Sequence, residues 1–352
     1  MRRHHLDGLR FFLFILVFLT HHHPQDLEFF GYALPVFFVM SGFLITKVLL
    51  LDDQPTLLGK LRVFYVRRVL RIFPSYYLVV ALLWSYGALS FPWYYMAYLV
   101  NFKLFAMSLG PDLEAFTLWF AANWRSESVH LWSLSVEEQF YIVYPLLLYL
   151  TAVRYRTAML VAVVVISIAA RTWFIEEAPY SYYAVLLPVC MEYFAWGCLF
   201  AWLEANNRLR RLNANYVLPA SASVALVLIY LEFHYKLDGF YQFQTTHFQS
   251  PIAVCLGFFM WSVWNLDRSH PMARFLSFRP FVYFGEMSYT MYLVHLFTWD
   301  LWEKLGIDLP FSKNVDLMIG TWVLTTIISM SIWHAVEKPA NQLKRYVPYA
   351  RR

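Results

Sequence analysis

Apolar stretches long enough to cross a bilayer recur along this chain from one end to the other, and they constrain its fold more than any other feature. They lie near residues 9–23, 32–50, 72–90, 138–153, 158–174, 185–203, 217–233, 251–265, 281–302 and 318–336. As a helix, each approaches the ~20 residues that cross a ~30 Å hydrocarbon layer. Hydrocarbon offers the backbone no hydrogen-bond partners, so segments of this kind satisfy their own N–H and C=O groups as helices. Charged residues make up only 14% of the chain, against about 25% in a typical soluble domain. The expected fold class is all-α, a polytopic membrane protein of about ten transmembrane helices. No Gly/Ser-rich linker, charge-rich tail or internal repeat divides residues 1–352, so a single domain is expected.

Loop charge orients the bundle, because Lys and Arg accumulate on the cytoplasmic side. With ten spans and both termini cytoplasmic, 22 of the 28 basic residues fall on the inner side. Lys103, Arg125, Arg171, Lys236, Lys304 and Lys313 remain outside. A further apolar stretch near residues 93–109 breaks this pattern if counted as a span, so a re-entrant or interfacial segment is expected there. The first segment has a basic start but no small-residue cleavage site, which predicts a retained span and not a signal peptide. Cys190, Cys198 and Cys255 all lie inside apolar segments, the position of packed thiols and not of a disulfide framework or zinc cluster.

Within the first span, Arg10 and His21 are eleven positions apart. Eleven helical steps of ~100° and ~1.5 Å return almost to the same face about 16 Å along the axis. Ionisable groups in a membrane segment face the bundle interior and mark function, so Arg10 and His21 point to intramembrane chemistry, and the shared register singles out His21. The adjacent His22 and His23 point elsewhere and are expected at the interface. Three consecutive histidines on a helix cannot converge on one ion, and no metal site is expected.

Three other clusters carry ionisable groups. In FYVRRVLRIFP, Arg68 and Arg71 share a helical face and can grip one phosphate, with Arg62 and Arg67 adding charge; the same residues also suit an ordinary positive-inside signal. In HLWSLSVEEQFYIVYP, Glu137 and Glu138 differ by ~100°, so one is expected to face the cavity and the other water or headgroups. An inward Glu137 would orient an imidazole or bind hydroxyls, whereas the alternative is a plain first-turn helix charge. His130 and Tyr141 of this motif are cavity candidates. In FGEMSYTMYLVHLF, Glu286 lies near the inner end of a span and His295 deeper, both as cavity candidates, and Glu192 in VCMEYFAWG is a weaker one. Ser41 in MSGFL is a cavity candidate whose neighbour Gly42 suits helix packing.

LDGLR with its spacing to His21, FFVMSGFLIT, RRVLR, WSLSVEEQFYIVYP, SYTMYLVHLF and the closing VEKP occur in this order along nearly the whole chain, and together they resemble the acyltransferase family 3 membrane proteins. The resemblance implies a bacterial inner-membrane enzyme that moves an acyl group, usually acetyl from acetyl-CoA, to a hydroxyl of an extracytoplasmic carbohydrate. It implies that His21 is essential, that Arg10, Arg68 and Arg71 bind the donor or shape the cavity, and that Glu137 recurs. It further implies one transmembrane domain without the C-terminal hydrolase-like domain of some members. Acyl-CoA would be a substrate, with no tightly bound cofactor and no nucleic-acid partner. His21 would act as general base or as acyl carrier. A transporter of a sugar or lipid-linked substrate is the alternative, although no pair of matching interrupted spans marks inverted repeats. A receptor or scaffold would not need Arg10 and His21 on one face.

Overall fold

The computed structural model of the protein describes residues 3–22, 31–110, 112–125, 128–179, 181–234, 246–307 and 309–349. Every regular element among them is helical: α1 (His4–His22), α2 (Ala33–Leu50), α3 (Leu57–Ser85), α4 (Pro92–Met96), α5 (Val100–Ser108), α6 (Leu113–Asn123), α7 (Trp132–Leu150), α8 (Arg156–Glu177) and α9 (Leu187–Ala205) in the first part. Then follow α10 (Ala214–His234), α11 (Thr246–Asn265), α12 (Pro271–Leu276), α13 (Arg279–Glu286), α14 (Ser288–Val294), α15 (Phe297–Leu305), α16 (Lys313–Ile332), a π-helical turn (Trp333–Glu337) and α17 (Lys338–Gln342).

Among the described residues, four helical stretches are long and apolar enough to cross a membrane: Ala33–Leu50, Val153–Glu177, Ala214–Phe233 and Lys313–Tyr346. Five other expected spans coincide with α1, α3, α7, α9 and α11, helices of 19 to 29 residues. The stretch near residues 93–109 forms α4 and α5, of five and nine residues, broken around Tyr98 at φ 54°. Neither piece reaches across a hydrocarbon layer at ~1.5 Å per residue.

The expected span 281–302 is not one helix. It is divided into α13, α14 and α15, with breaks at Met287 and at His295–Leu296. No proline or glycine occupies either break, and the apolar pattern runs through both, so the sequence gives no warning of them. The second break places backbone carbonyls without intrahelical donors inside the bundle, and the candidate site is built there.

Packing brings α1 against α12, α13 and α14, and α2 along α9, which in turn packs on α8 and α11. The α2–α9 crossing is unusually close. A Cβ built on Gly42 would lie 2.1 Å from the Phe194 carbonyl oxygen, and one on Gly197 would lie 2.0 Å from that of Val39. Small residues allow this approach in membranes, where apolar burial gives helices little reason to associate. A second anchor is a buried ion pair between Arg171 of α8 and Glu192 of α9, extended by Arg171 Nη2 donating to Ser250 Oγ at 2.8 Å. Glu192 is thereby occupied in helix packing, and Arg171 is buried inside the bundle.

Candidate active site

His21 sits at the last turn of α1 and lines a cavity of about 170 Å³. The remaining wall is largely aromatic, with Tyr32, Trp124, Trp132, Tyr182 and Tyr292 contributing, and His130 completes it. Its ring nitrogens have distinct surroundings. Nδ1 of His21 lies 2.7 Å from Nε2 of His295, while Nε2 of His21 has no protein partner among the described residues.

The hydrogen positions follow from the partners. His295 Nδ1 lies 2.8 Å from the Tyr292 carbonyl oxygen. A carbonyl only accepts, so His295 Nδ1 carries the hydrogen and, in the neutral ring, Nε2 has the lone pair. His21 Nδ1–H therefore donates to His295 Nε2, and the lone pair of His21 resides on Nε2.

Tyr292 organises the cluster at both ends. It lies two residues before the end of α14 at Val294, so its carbonyl is among those that lack an intrahelical donor. His295 Nδ1 and His130 Nε2 both donate to it, each at 2.8 Å. The Tyr292 hydroxyl donates to the His130 carbonyl at 3.0 Å and lies 2.6 Å from Ser133 Oγ. The break in the expected span 281–302 thus supplies the acceptor that fixes two imidazoles. His130 rides on a 3₁₀ turn (Val129–Leu131) entered through Ser128 at φ 50°, a left-handed conformation that costs a non-glycine residue energy.

A second group lies apart from the histidines. Ser41 Oγ donates to Glu137 Oε1 at 2.8 Å, and the Tyr141 hydroxyl is 3.3 Å from both Glu137 Oε2 and Ser41 Oγ. The Arg68 guanidinium lies 5.1 Å above the Tyr141 ring, and Arg10 and Arg68 both act electrostatically on Glu137. Arg10 is held by Asp7 at 2.9 Å. Arg68 and Arg71 have no ion pair or hydrogen bond among the described residues, whereas Arg67 turns away to donate to the carbonyls of Lys344 and Val347 at 2.8 and 2.7 Å. Of Arg67, Arg68 and Arg71, the last two keep their guanidinium hydrogen-bond donors unoccupied among the described residues.

Several expectations change. The expected partner of the His21 imidazole is Glu137, but His295 occupies that position and Glu137 bonds Ser41 and Tyr141. Glu138, also a cavity candidate, is half-buried and interacts electrostatically with Tyr76, Tyr77, Tyr98 and Tyr289. His22 is buried, not interfacial, with Nδ1 2.7 Å from the Phe18 carbonyl and its ring stacked 3.8 Å from Phe18. His23 lies outside the described residues. Glu286 ends α13, half-buried.

Sequence reasoning missed Tyr292, Trp124 and Glu337. An aromatic is unremarkable in a chain with 20% aromatic residues, and a carbonyl acceptor leaves no trace in side-chain identity. Glu337 belongs to the quoted VEKP motif and deserved notice for its charge. It lies in the π-helical turn, 1% exposed, and accepts from Thr290 Oγ1 at 2.5 Å within electrostatic reach of Arg71. Among the described residues no group of three or more His, Cys, Asp or Glu is arranged to hold a metal ion.

A family profile described as "Acyltransferase domain" matches residues 3–334, nearly the whole chain. The chain belongs to acyltransferase family 3. Curated relatives include the peptidoglycan O-acetyltransferase OatA of Listeria monocytogenes, 25% identical over 82% of this chain and 48% of its own length. The O-acetyltransferase OatA of Staphylococcus aureus is 25% identical over 82% of this chain and 49% of its own. The putative peptidoglycan O-acetyltransferase YrhL of Bacillus subtilis is 27% identical over 95% of this chain and 54% of its own. The chain spans about half the length of these relatives. No solved structure matches it.

Proposed function

We propose that this protein is a membrane O-acyltransferase that carries an acyl group, acetyl in the first instance, from cytosolic acyl-CoA to a hydroxyl of an extracytoplasmic carbohydrate such as a peptidoglycan sugar. The reading places ten spans in the bacterial inner membrane with both termini cytoplasmic. Arg68 and Arg71, with Arg10 beside them, take the donor phosphates from the inner side. Their unoccupied hydrogen-bond donors support this role, since bidentate Arg–phosphate bonds need free forks. The pantetheine arm passes Glu137, Ser41 and Tyr141 toward the histidines.

The observation that carries the reading is the lone pair of His21 Nε2 in an aromatic cavity, with Nδ1–H tied to His295. As a general base, Nε2 takes the proton of the acceptor hydroxyl while the oxygen attacks the thioester carbonyl. The C–S bond then breaks and the thiolate leaves with that proton as CoA–SH. The acceptor lone pair of His295 favours the imidazolium formed on His21. A positioned base contributes about 10²- to 10⁴-fold. The same lone pair can attack the thioester itself, breaking the C–S bond and expelling CoA thiolate, to give an acyl-imidazole from which the acceptor oxygen then takes the acyl group as its hydroxyl proton is released; ping-pong initial rates distinguish that route from direct transfer.

The aromatic wall supports a sugar acceptor, because pyranose C–H faces pack on aromatic rings while hydroxyls reach polar groups. Transfer of labelled acetyl from acetyl-CoA to an exogenous glycan in sealed vesicles tests the function. Label appearing on the glycan supports it, whereas movement of unlabelled sugar across the bilayer would favour a transporter.

A further inference from the structure

Arg125 follows directly on Trp124, a wall residue of the His21 cavity, in a turn fixed by Ser128 N–H donating to the Arg125 carbonyl at 3.0 Å and Val129 N–H to that of Trp124 at 3.1 Å. Its guanidinium carbon lies 4.8 Å from the Trp124 ring centroid and 4.0 Å from that of Trp299 on α15. Two indoles clamp the group through cation–π contacts. The Trp124 ring is in turn 5.5 Å from the His21 ring. The cation is thus fixed at the edge of the cavity that holds the proposed base.

Among the described residues no carboxylate comes within 4.0 Å of Arg125 and no acceptor bonds it, and Nε is buried without a partner. Glu303, one turn along α15 from Trp299, attracts it only from beyond ion-pair distance. Three arginines of the bundle are engaged, Arg171 by Glu192, Arg10 by Asp7 and Arg67 by two backbone carbonyls, whereas Arg125 shares its unoccupied donors with Arg68 and Arg71 of the proposed donor site. A rigid, half-buried guanidinium with unoccupied donors is a recognition element for a planar or tetrahedral oxyanion.

We propose that Arg125 sets acceptor specificity by binding an anionic substituent, a carboxylate or phosphate, on the sugar whose hydroxyl faces His21 Nε2. The inference rests on the acyltransferase reading of the cavity and adds the charge class of the acceptor to it. The sugar ring seats on the aromatic wall, the reacting hydroxyl meets Nε2, and the oxyanion takes the terminal nitrogens of Arg125. The other source of an oxyanion at this rim is a lipid headgroup, which would occupy Arg125 without reference to the acceptor.

The test uses the full chain in phosphatidylcholine vesicles with methyl glucuronide and methyl glucoside as matched probes that differ in one carboxylate. Binding is read by tryptophan fluorescence, and acetyl transfer to each probe is followed in parallel. Wild type is expected to bind the glucuronide about tenfold more tightly. Arg125→Gln should abolish that preference by raising Kd and KM for the glucuronide about tenfold, with kcat and glucoside binding unchanged, and Arg125→Lys should restore part of it. His21→Ala should keep the binding preference and lose transfer. Equal binding of the two probes by wild type, or a preference that survives in Arg125→Gln, would overturn the assignment of Arg125 alone. Absence of binding by both probes would overturn the sugar reading of the cavity and the proposal with it. Repeating the binding in phosphatidylglycerol-containing vesicles separates the sources: an unchanged preference supports the acceptor's anion, and its loss assigns Arg125 to headgroups and overturns the proposal.

Discussion

His21 Nδ1 lies 2.7 Å from His295 Nε2, and the other nitrogen of His295 ends on the Tyr292 carbonyl at 2.8 Å. The chain of contacts couples the last turn of α1 to a break between α14 and α15, so a backbone carbonyl ultimately sets which nitrogen of His21 holds a lone pair. The orienting partner is an imidazole and a carbonyl where a carboxylate would be the more familiar arrangement.

His295→Ala should therefore leave His21 in place but free to adopt the wrong tautomer. We expect kcat to fall about 10²-fold with KM for both substrates little changed, within the range that a positioned base contributes. Steady-state kinetics on the purified variant, with thermal unfolding as a control for folding, checks this. Unchanged kcat would remove His295 from the reaction.

The arginine run should divide by residue. Arg68→Ala combined with Arg71→Ala should raise the Kd for acyl-CoA ten- to a hundredfold, since each charge-assisted hydrogen bond contributes about 1.5–3 kcal/mol. Arg67→Ala should leave donor affinity within about twofold and instead loosen residues 344–349, because its guanidinium is spent on the carbonyls of Lys344 and Val347 and on the Tyr349 ring 4.4 Å away. Titration of the three proteins with a non-hydrolysable acyl-CoA analogue distinguishes donor binding from a positive-inside signal.

Much of the fold was legible because a membrane makes apolar length the dominant signal. The positions of α1, α2, α7, α8, α9, α10, α11 and α16 follow from it within a few residues. The breaks in 281–302 were not legible, since nothing in Met287 or in His295 and Leu296 differs chemically from a continuing helix; neighbouring helices impose them. The site was legible as a set of residues and illegible as a set of pairs. Register on one helix gave the shared face of Arg10 and His21, but the rotation of one helix about another decides whether His21 meets Glu137 or His295. For the same reason Glu192 read as a cavity candidate, although Arg171, 21 residues earlier on the neighbouring helix, claims it.

That buried pair gives a stability prediction. Arg171→Gln or Glu192→Gln leaves one charge alone in a low-dielectric interior and should cost about 3–5 kcal/mol. Replacing both residues by apolar ones of similar volume should recover most of the loss. Thermal unfolding in detergent measures the effect, and turnover per folded molecule should stay near wild type in all three proteins.

Gly42→Val tests the α2–α9 crossing. The added carbons have no room against the Phe194 backbone, and overpacking of this kind costs about 1–3 kcal/mol. The unfolding midpoint should drop, and activity should fall more than folding alone explains, because Ser41 and its bond to Glu137 move with the helix. An unchanged midpoint would mean that the crossing yields easily.

The most direct measurement compares wild type, His21→Ala and His22→Ala in sealed vesicles supplied with labelled acetyl-CoA and an acceptor glycan on the opposite side. The account predicts rapid label transfer by wild type, loss of at least about 10²-fold in His21→Ala at equal expression and donor affinity, and near-normal transfer by His22→Ala. Persistent transfer by His21→Ala, or equal loss in His22→Ala, would contradict the claim that His21 Nε2 is where the acyl group changes hands.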